Sequence, residues 1–303
     1  MCVLLVLISV GYVLGRKGMM PENMVKGLMD ILIKLVIPVI IIYSMQTDYS
    51  TVLLRQGSVM FLAYLGILFL GLLIGAVTIK LFGVPQRLHG DWVFVAMFSN
   101  ASYIGLPILR LLFSDTASYF LCTSIIVASN LAFSTIAVPL FRHFTGAPAV
   151  AKTTFRKTIA NPAIICFALG LLFYCLQIQL PQVIITPLEM ISQLAAPLCM
   201  LSIGALLNNC KLKNVFRGAY SYLLCLIRLL IIPLFVWILV RSFNGGGAFL
   251  IVATLMAGMP AGGMLPALSI SHGGDSIWAT EHFLLSTLLS ILTIPILHVL
   301  SSL

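Results

Sequence analysis

The chain has 303 residues, 61% of them hydrophobic and only 8% charged, with 17 Lys and Arg against 8 Asp and Glu. That composition excludes a soluble domain, which carries about a quarter of its residues as charges. The net charge of +9 needs no nucleic acid, because basic loops at a membrane face anionic lipid headgroups.

A helix needs about 20 apolar residues to cross a hydrocarbon core of about 30 Å. Runs near that length recur along the chain and predict ten spans: Met1 to Gly15, Met24 to Met45, Ser58 to Phe82, Trp92 to Phe113, Ala117 to Phe141, Ile159 to Gln177, Pro187 to Leu207, Arg217 to Val240, Ala248 to Ile270 and Ser276 to Leu300. The runs are continuous, without the ten-residue alternation of a β-barrel. In the first run the basic residues Arg16 and Lys17 follow the apolar stretch, the reverse of a signal peptide, so it reads as a membrane helix.

Lys and Arg are retained on the cytoplasmic side of short loops. Arg16, Lys17, Lys26, Lys80, Arg87, Arg142, Lys152, Arg156, Lys157, Lys211, Lys213 and Arg217 fall in or beside the odd-numbered loops, and only Arg55, Arg110 and Arg241 in or beside the even ones. Both termini are therefore expected outside the cytoplasm of a multi-pass protein of the cell membrane. The organisation expected is a first five-helix repeat over 1–141, a short basic cytoplasmic loop over 142–158 and a second repeat over 159–303.

An offset of 159 positions superimposes Gly11 on Gly170, Pro38 on Pro197 and Pro107 on Pro266. Composition alone gives about one such coincidence at a given offset. The matches are collinear, pairing spans one, two and four with spans six, seven and nine. Each half has an odd number of spans, so the second enters from the opposite side and is inverted, a plan used by transporters.

Spans four and nine carry Ser99-Asn100-Ala101-Ser102-Tyr103-Ile104-Gly105-Leu106-Pro107 and Ala257-Gly258-Met259-Pro260-Ala261-Gly262-Gly263-Met264-Leu265-Pro266. Proline removes a donor and clashes with the preceding turn, and glycine adds freedom to unwind, so both spans are expected to be broken helices. Freed backbone groups are tolerated in a membrane only where buried in protein or lining a watery cavity. Matching breaks thus point to a binding site between them, where half-helix N-termini favour an anionic group such as a carboxylate. Gly and Pro also mark simple kinks and close packing in membrane helices, and for Pro38 and Pro197 a kink explains them at least as well.

Among polar residues, Asn100, and Asn130 with Ser129, either coordinate substrate or bond a neighbouring helix. Charges inside apolar runs need partners or a function. Asp30 and Lys34 are four apart and read as a pair, with anion or proton coupling as the functional reading of Lys34. Arg228 either attracts an anion or serves as a structural link or carbonyl cap. Asp275 and Glu281 read as span-end charges. The seven cysteines lack CxxC or metal-ligand spacing, and the five histidines lack the i, i+4 pairing of a zinc helix. No metal, cofactor or catalytic set is expected, so an enzyme is not the reading.

The order and spacing of several short motifs resemble the auxin efflux carrier family of membrane transport proteins, which includes plant PIN-type carriers and bacterial malate and malonate permease-like proteins. The motifs are Gly11-Tyr12-Val13-Leu14-Gly15-Arg16, Leu35-Val36-Ile37-Pro38, Asn100 with Gly105-Leu106-Pro107, Pro197 through Gly204, and Gly258-Met259-Pro260 followed by Pro266. The resemblance covers essentially the whole chain. It implies an all-α integral membrane fold of ten transmembrane helices in two inverted five-helix repeats, related to bile-acid symporters and sodium/proton antiporters, with helices four and nine crossing where they unwind. It further implies that Asn100 lies near the substrate, that Pro107 and one of Pro260 or Pro266 are the crossover prolines, and that Asn130 corresponds loosely to a polar position of span five. Spans one, two, six and seven would form a scaffold able to form a homodimer, against which the crossing bundle moves like an elevator.

The fifth loop is short and basic, unlike the long loop of the plant carriers, so a bacterial-type carrier of small organic anions is the closer match. The substrate-binding set expected is Ser99, Asn100, Tyr103, Gly105, Pro107 and Asn130 with Gly258, Pro260, Met264 and Pro266. A sodium-coupled symporter of bile-acid type and a membrane receptor are the alternatives.

Overall fold

The computed structural model describes residues 2–113, 115–146, 162–208, 215–216, 218–243 and 246–302. Most of the expected 142–158 loop, together with Lys211, Lys213, Arg217 and Cys210, lies outside the described residues. In chain order the helices are α1 (Cys2–Arg16), α2 (Glu22–Ile31) running through a π turn (Leu32–Val36) into α3 (Ile37–Ser44), α4 (Thr51–Phe82), and α5 (His89–Met97). A π turn (Ala101–Gly105) leads into α6 (Leu106–Leu112), and α7 (Thr116–Ala132) runs through another (Phe133–Ala137) into α8 (Val138–Thr145). Then come α9 (Pro162–Cys175), α10 (Gln182–Gln193), α11 (Ala195–Asn208), and α12 (Ala219–Leu226) running through a π turn (Ile227–Ile231) into α13 (Ile232–Ser242). Last are α14 (Gly247–Ala257), α15 (Leu265–His272) and α16 (Ser276–Ser302).

Among the described residues five stretches are long and apolar enough to cross a membrane: Thr51–Phe82, Ala117–Thr145, Gln182–Ala205, Ala219–Ser242 and Ser276–Ser302. Val6–Arg16, Pro162–Cys175 and Gly247–Ala257 are shorter apolar helices. The third predicted span starts earlier than Ser58 because Ser50 caps α4, its Oγ accepting from the Leu53 N–H at 3.3 Å. The same helix stops at Gly83, which is left-handed with φ 60°. The seventh starts at Gln182 rather than at Pro187, which sits inside α10.

One rule explains the π turns. A proline follows each, two residues past its end: Pro38, Pro107, Pro139 and Pro233. The proline ring collides with the carbonyl four residues back in a regular helix, and widening that turn draws the carbonyl aside.

Packing divides the helices into two sub-bundles. In one, α1 crosses α11, α9 and α10 pack on α3, and α2 packs on α11. The α1–α11 crossing is backbone against backbone: a Cβ on Gly11 would lie 2.2 Å from the Leu201 carbonyl oxygen, and one on Gly204 2.1 Å from that of Ile8. In the other sub-bundle α4 packs on α5 and α7, α5 on α8, α13 on α14, and both α14 and α15 on α16. The two meet where α7 touches α3 and α9, and where α11 touches α6.

The connections are tied at both ends. At one end the buried Asp91 Oδ2 accepts from the Asp275 N–H at 2.9 Å, Thr145 Oγ1 donates to the His272 carbonyl at 3.1 Å, and Tyr220 donates to the Gly83 carbonyl at 3.2 Å. At the other, the Tyr174 hydroxyl accepts from the Ser50 N–H at 2.9 Å and donates to the Ser50 carbonyl at 3.0 Å, while Gln46 Oε1 accepts from the Leu180 N–H at 2.9 Å. Near that second end Arg110 of α6 donates to Ser192 Oγ of α10. Its guanidinium lies 5.4 Å from the Tyr43 ring centre and 5.0 Å from that of Tyr119.

Candidate functional site

The two interrupted helices meet at their interruptions. α5 stops at Met97 and α14 at Ala257, and the non-helical residues between the halves pair as a short antiparallel bridge, Ser99 with Ala261. The Asn100 N–H donates to the Pro260 carbonyl at 2.8 Å, and the Asn100 carbonyl accepts from the N–H groups of Ile104 at 3.2 Å and Gly105 at 3.0 Å. The Ala261 N–H donates to Ser286 Oγ of α16 at 3.2 Å. The N–H groups of Asn100 and Ala261, left outside the helices at the breaks, thus find partners in the opposite break and in a third helix, which lets them lie deep in an apolar molecule.

Arg228, in the π turn between α12 and α13, serves two more of them. It is fully buried, donating from Nη1 to the Ala96 carbonyl at 3.1 Å and from Nε to the Met259 carbonyl at 3.2 Å.

A cavity of about 250 Å³ lies against the crossing. Ile37 and Ala163 contribute from the sub-bundle of α1–α3 and α9–α11, and the rest of the lining comes from the other: Phe94, Phe98, Ser99, Asn100, Ser102, Ser129, Asn130, Phe133, Gly262, Gly263 and Met264. One wall is aromatic. Phe94 and Phe98 stack at 5.0 Å, and Phe133 stands edge-on to both at 6.1 Å. Ser99, Asn100, Ser102, Ser129 and Asn130 supply the cavity's polar side chains, and none of the described lining residues is charged. Tyr64 of α4, buried behind them, reaches Ser99 Oγ at 3.3 Å and donates to Ser129 Oγ at 3.4 Å. Asn130 Nδ2 donates to the Ile126 carbonyl at 2.8 Å. Asn100 is 2% exposed and its Oδ1 has no hydrogen-bond partner, an arrangement that leaves an amide in need of a ligand or water.

The predicted residues separate by where they lie. Ser99, Asn100, Asn130 and Met264 line the cavity. Gly105, Pro107, Gly258, Pro260 and Pro266 shape the crossing without lining it; a Cβ on Gly105 would lie 2.7 Å from Met256 Sδ, and one on Gly258 2.4 Å from the Leu297 side chain. Tyr103 is in the π turn, and its side chain lies outside the described residues. Arg228 caps carbonyls behind the crossing, and Lys34 is away from it, paired at 2.6 Å with Asp30 on an exposed face. Sequence reasoning missed Tyr64, Ser102, Ser286 and the three phenylalanines. Tyr64, Ser102 and Ser286 carry a signal, each a hydroxyl inside a membrane span, and Ser102 lies within the interrupted segment of span four.

A model of the membrane transport protein family matches residues 1–298. The chain belongs to that family. It is the auxin efflux carrier family whose motifs the sequence resembles, and the protein is a multi-pass membrane protein of a transporter family. The chain is also similar to an uncharacterized transporter of Methanocaldococcus jannaschii, 23% identical over 299 residues that span 97% of this chain and 95% of the relative. In this membrane transport protein, then, the cavity beside the broken helices, part aromatic and part polar, is the natural place to look for cargo.

Proposed function

We propose that the protein is a secondary carrier of small organic anions, carboxylates or auxin-like acids, which it binds at the crossing and moves by alternating access. The observation that carries this reading is the cavity that both breaks line, where the side-chain amide of Asn100, whose NH2 donates, stands with the Ser99, Ser102 and Ser129 hydroxyls as the donors a carboxylate needs. The aromatic wall suits the carbon skeleton of an acid. The amide and hydroxyl wall, with the nearby backbone N–H groups of the broken helices, suits its carboxylate.

The reading includes ten membrane passes in two inverted halves, 1–141 and 159–303, with both termini outside the cytoplasm. Reciprocal packing supports it. Gly11 packs on Leu201 and Gly170 on Ile42, and each member of the second pair is 159 positions from its counterpart in the first (170 − 11 and 201 − 42). In an inverted repeat every contact between halves has such an image. The same relation pairs the α4–α5 contact with the α13–α14 contact, and the α5–α8 contact with that of α14 on α16.

In the elevator version of this carrier the sub-bundle of α4–α8 and α12–α16 slides along that of α1–α3 and α9–α11, which a second copy of the chain would hold in place as a homodimer. The cavity's position between the two sub-bundles favours this division of labour.

Uptake by purified protein in liposomes tests the function, offering labelled malate, malonate and indole-3-acetate under imposed proton, sodium or voltage gradients. Saturable uptake of any one of them, lost in Asn100→Ala, is the expected result. No uptake of any acid under any gradient overturns the proposal.

A further inference from the structure

Arg228 is a full charge inside the molecule with no carboxylate bonded to it. Neither salt bridge among the described residues involves it, and its Nη2 has no hydrogen-bond partner. Burying an ion without a counter-ion is expensive, above all at membrane depth. Such a residue is retained where it meets negative charge of another kind, and here that charge is in the backbone.

Both helices that end at the crossing, α5 and α14, end there by their C-termini. Each helix C-terminus carries about half a negative charge on its unpaired carbonyls. Two ends at one place are together worth about one negative charge, which a single guanidinium offsets. The contacts fit that role: one nitrogen of Arg228 bonds the Ala96 carbonyl in the last turn of α5, and another bonds the Met259 carbonyl just past the end of α14. The same carbonyls lie three residues before two residues that line the cavity, Ser99 and Gly262 (99 − 96 and 262 − 259). Without Arg228 the partial negative charge of these two C-termini would offset the partial positive charge of the half-helix N-termini that begin at Ala101 and Leu265, and the crossing would not favour an anion. With it, what faces the cavity is the Asn100 amide and the serine hydroxyls, with no basic side chain among the described lining residues to bind the anion directly.

We infer that Arg228 sets the charge preference of the cavity, as a positioning residue that touches no ligand and cancels the two helix C-termini so that an anion is accepted over an uncharged molecule of the same shape. This rests on the organic-anion reading above and assigns its selectivity to a residue outside the cavity.

The test compares affinities within two isosteric pairs, malonate against malonamide and indole-3-acetate against indole-3-acetamide. It uses the full chain in lipid nanodiscs as wild type, Arg228→Lys and Arg228→Gln, with thermal unfolding of each variant followed in parallel. A merely structural role would change stability and leave the acid-to-amide ratio alone. Arg228→Gln is expected to lower that ratio about tenfold or more, and Arg228→Lys, which keeps the charge and loses the fork, to keep it within about threefold. A folded Arg228→Gln protein with the wild-type ratio overturns the inference, as does a folded Arg228→Lys protein that loses the ratio. Should Arg228→Gln not fold, Arg228→Met, which keeps much of the side chain's length without its charge, takes its place under the same criterion. Wild type that binds neither acid refutes the organic-anion reading and this inference with it; wild type that prefers the acids, with a ratio Arg228→Gln leaves in place, refutes only the inference.

Discussion

Asn100→Ala separates binding from folding at the crossing. The three bonds that Asn100 makes there, to the Pro260 carbonyl and from Ile104 and Gly105, are all backbone bonds and survive in alanine. What the substitution removes is an amide whose Oδ1 is buried without a partner. Leaving such an acceptor unpaired costs about 1–3 kcal/mol. The space vacated joins a cavity already present, so no new void is enclosed and the usual penalty of truncation is avoided. The variant should therefore be as stable as wild type or more so, with an unfolding midpoint unchanged or raised by about 2–4 °C per kcal/mol relieved. A carboxylate that loses one hydrogen bond from the amide loses about 1.5–3 kcal/mol, or about 10- to 150-fold in affinity. Thermal unfolding of purified protein and concentration-dependent uptake into liposomes read the two halves of the prediction. A midpoint several degrees lower, or an unchanged KM for every acid transported, would refute the reasoning.

Pro107→Ala restores an N–H and lets the Ala101–Gly105 turn tighten to α register, so folded protein with uptake reduced about tenfold or more is expected, measured in the same liposomes. Gly204→Val places a side chain where even a Cβ meets the Ile8 carbonyl at 2.1 Å, and should destabilise by about 3 kcal/mol or more in thermal unfolding. Gly27→Ala, in α2 with no atom within 4 Å of the added Cβ, should instead stabilise by up to about 1 kcal/mol. Tyr64→Phe removes the hydroxyl that spans Ser99 and Ser129, and should cost about 1 kcal/mol per bond lost together with a lower uptake rate. An uptake curve identical to wild type would remove Tyr64 from the site.

What the sequence disclosed is what local chemistry controls. The helical runs, the interruptions in spans four and nine and the Asp30–Lys34 pair all follow from residues close in the chain, and the structure has each of them. The partners at the crossing lie far apart in sequence. That Asn100 bonds Pro260, or that Arg228 bonds both Ala96 and Met259, depends on how two halves of the chain pack. For Arg228 the sequence left two readings open, because an arginine in an apolar run looks the same whether it faces a ligand or a carbonyl. The aromatic wall was invisible for a similar reason. Phe94, Phe98 and Phe133 are unremarked in a chain with 18 phenylalanines, and only their convergence makes them a surface.

The Ser50–Tyr174 tie also bears on how the two sub-bundles can move. It joins the start of α4 to the end of α9, and Arg110 fastens α6 to α10 near the same end. In the proposed carrier these bonds either break, so that the sub-bundles slide, or hold and act as a pivot. A body pinned at one corner swings about it, with a displacement that grows with distance from the pin. While those bonds hold, the largest excursions fall at the opposite end, where Asp91, Thr145 and Asp275 fasten the connections of the crossing sub-bundle to one another, so that end travels as a unit.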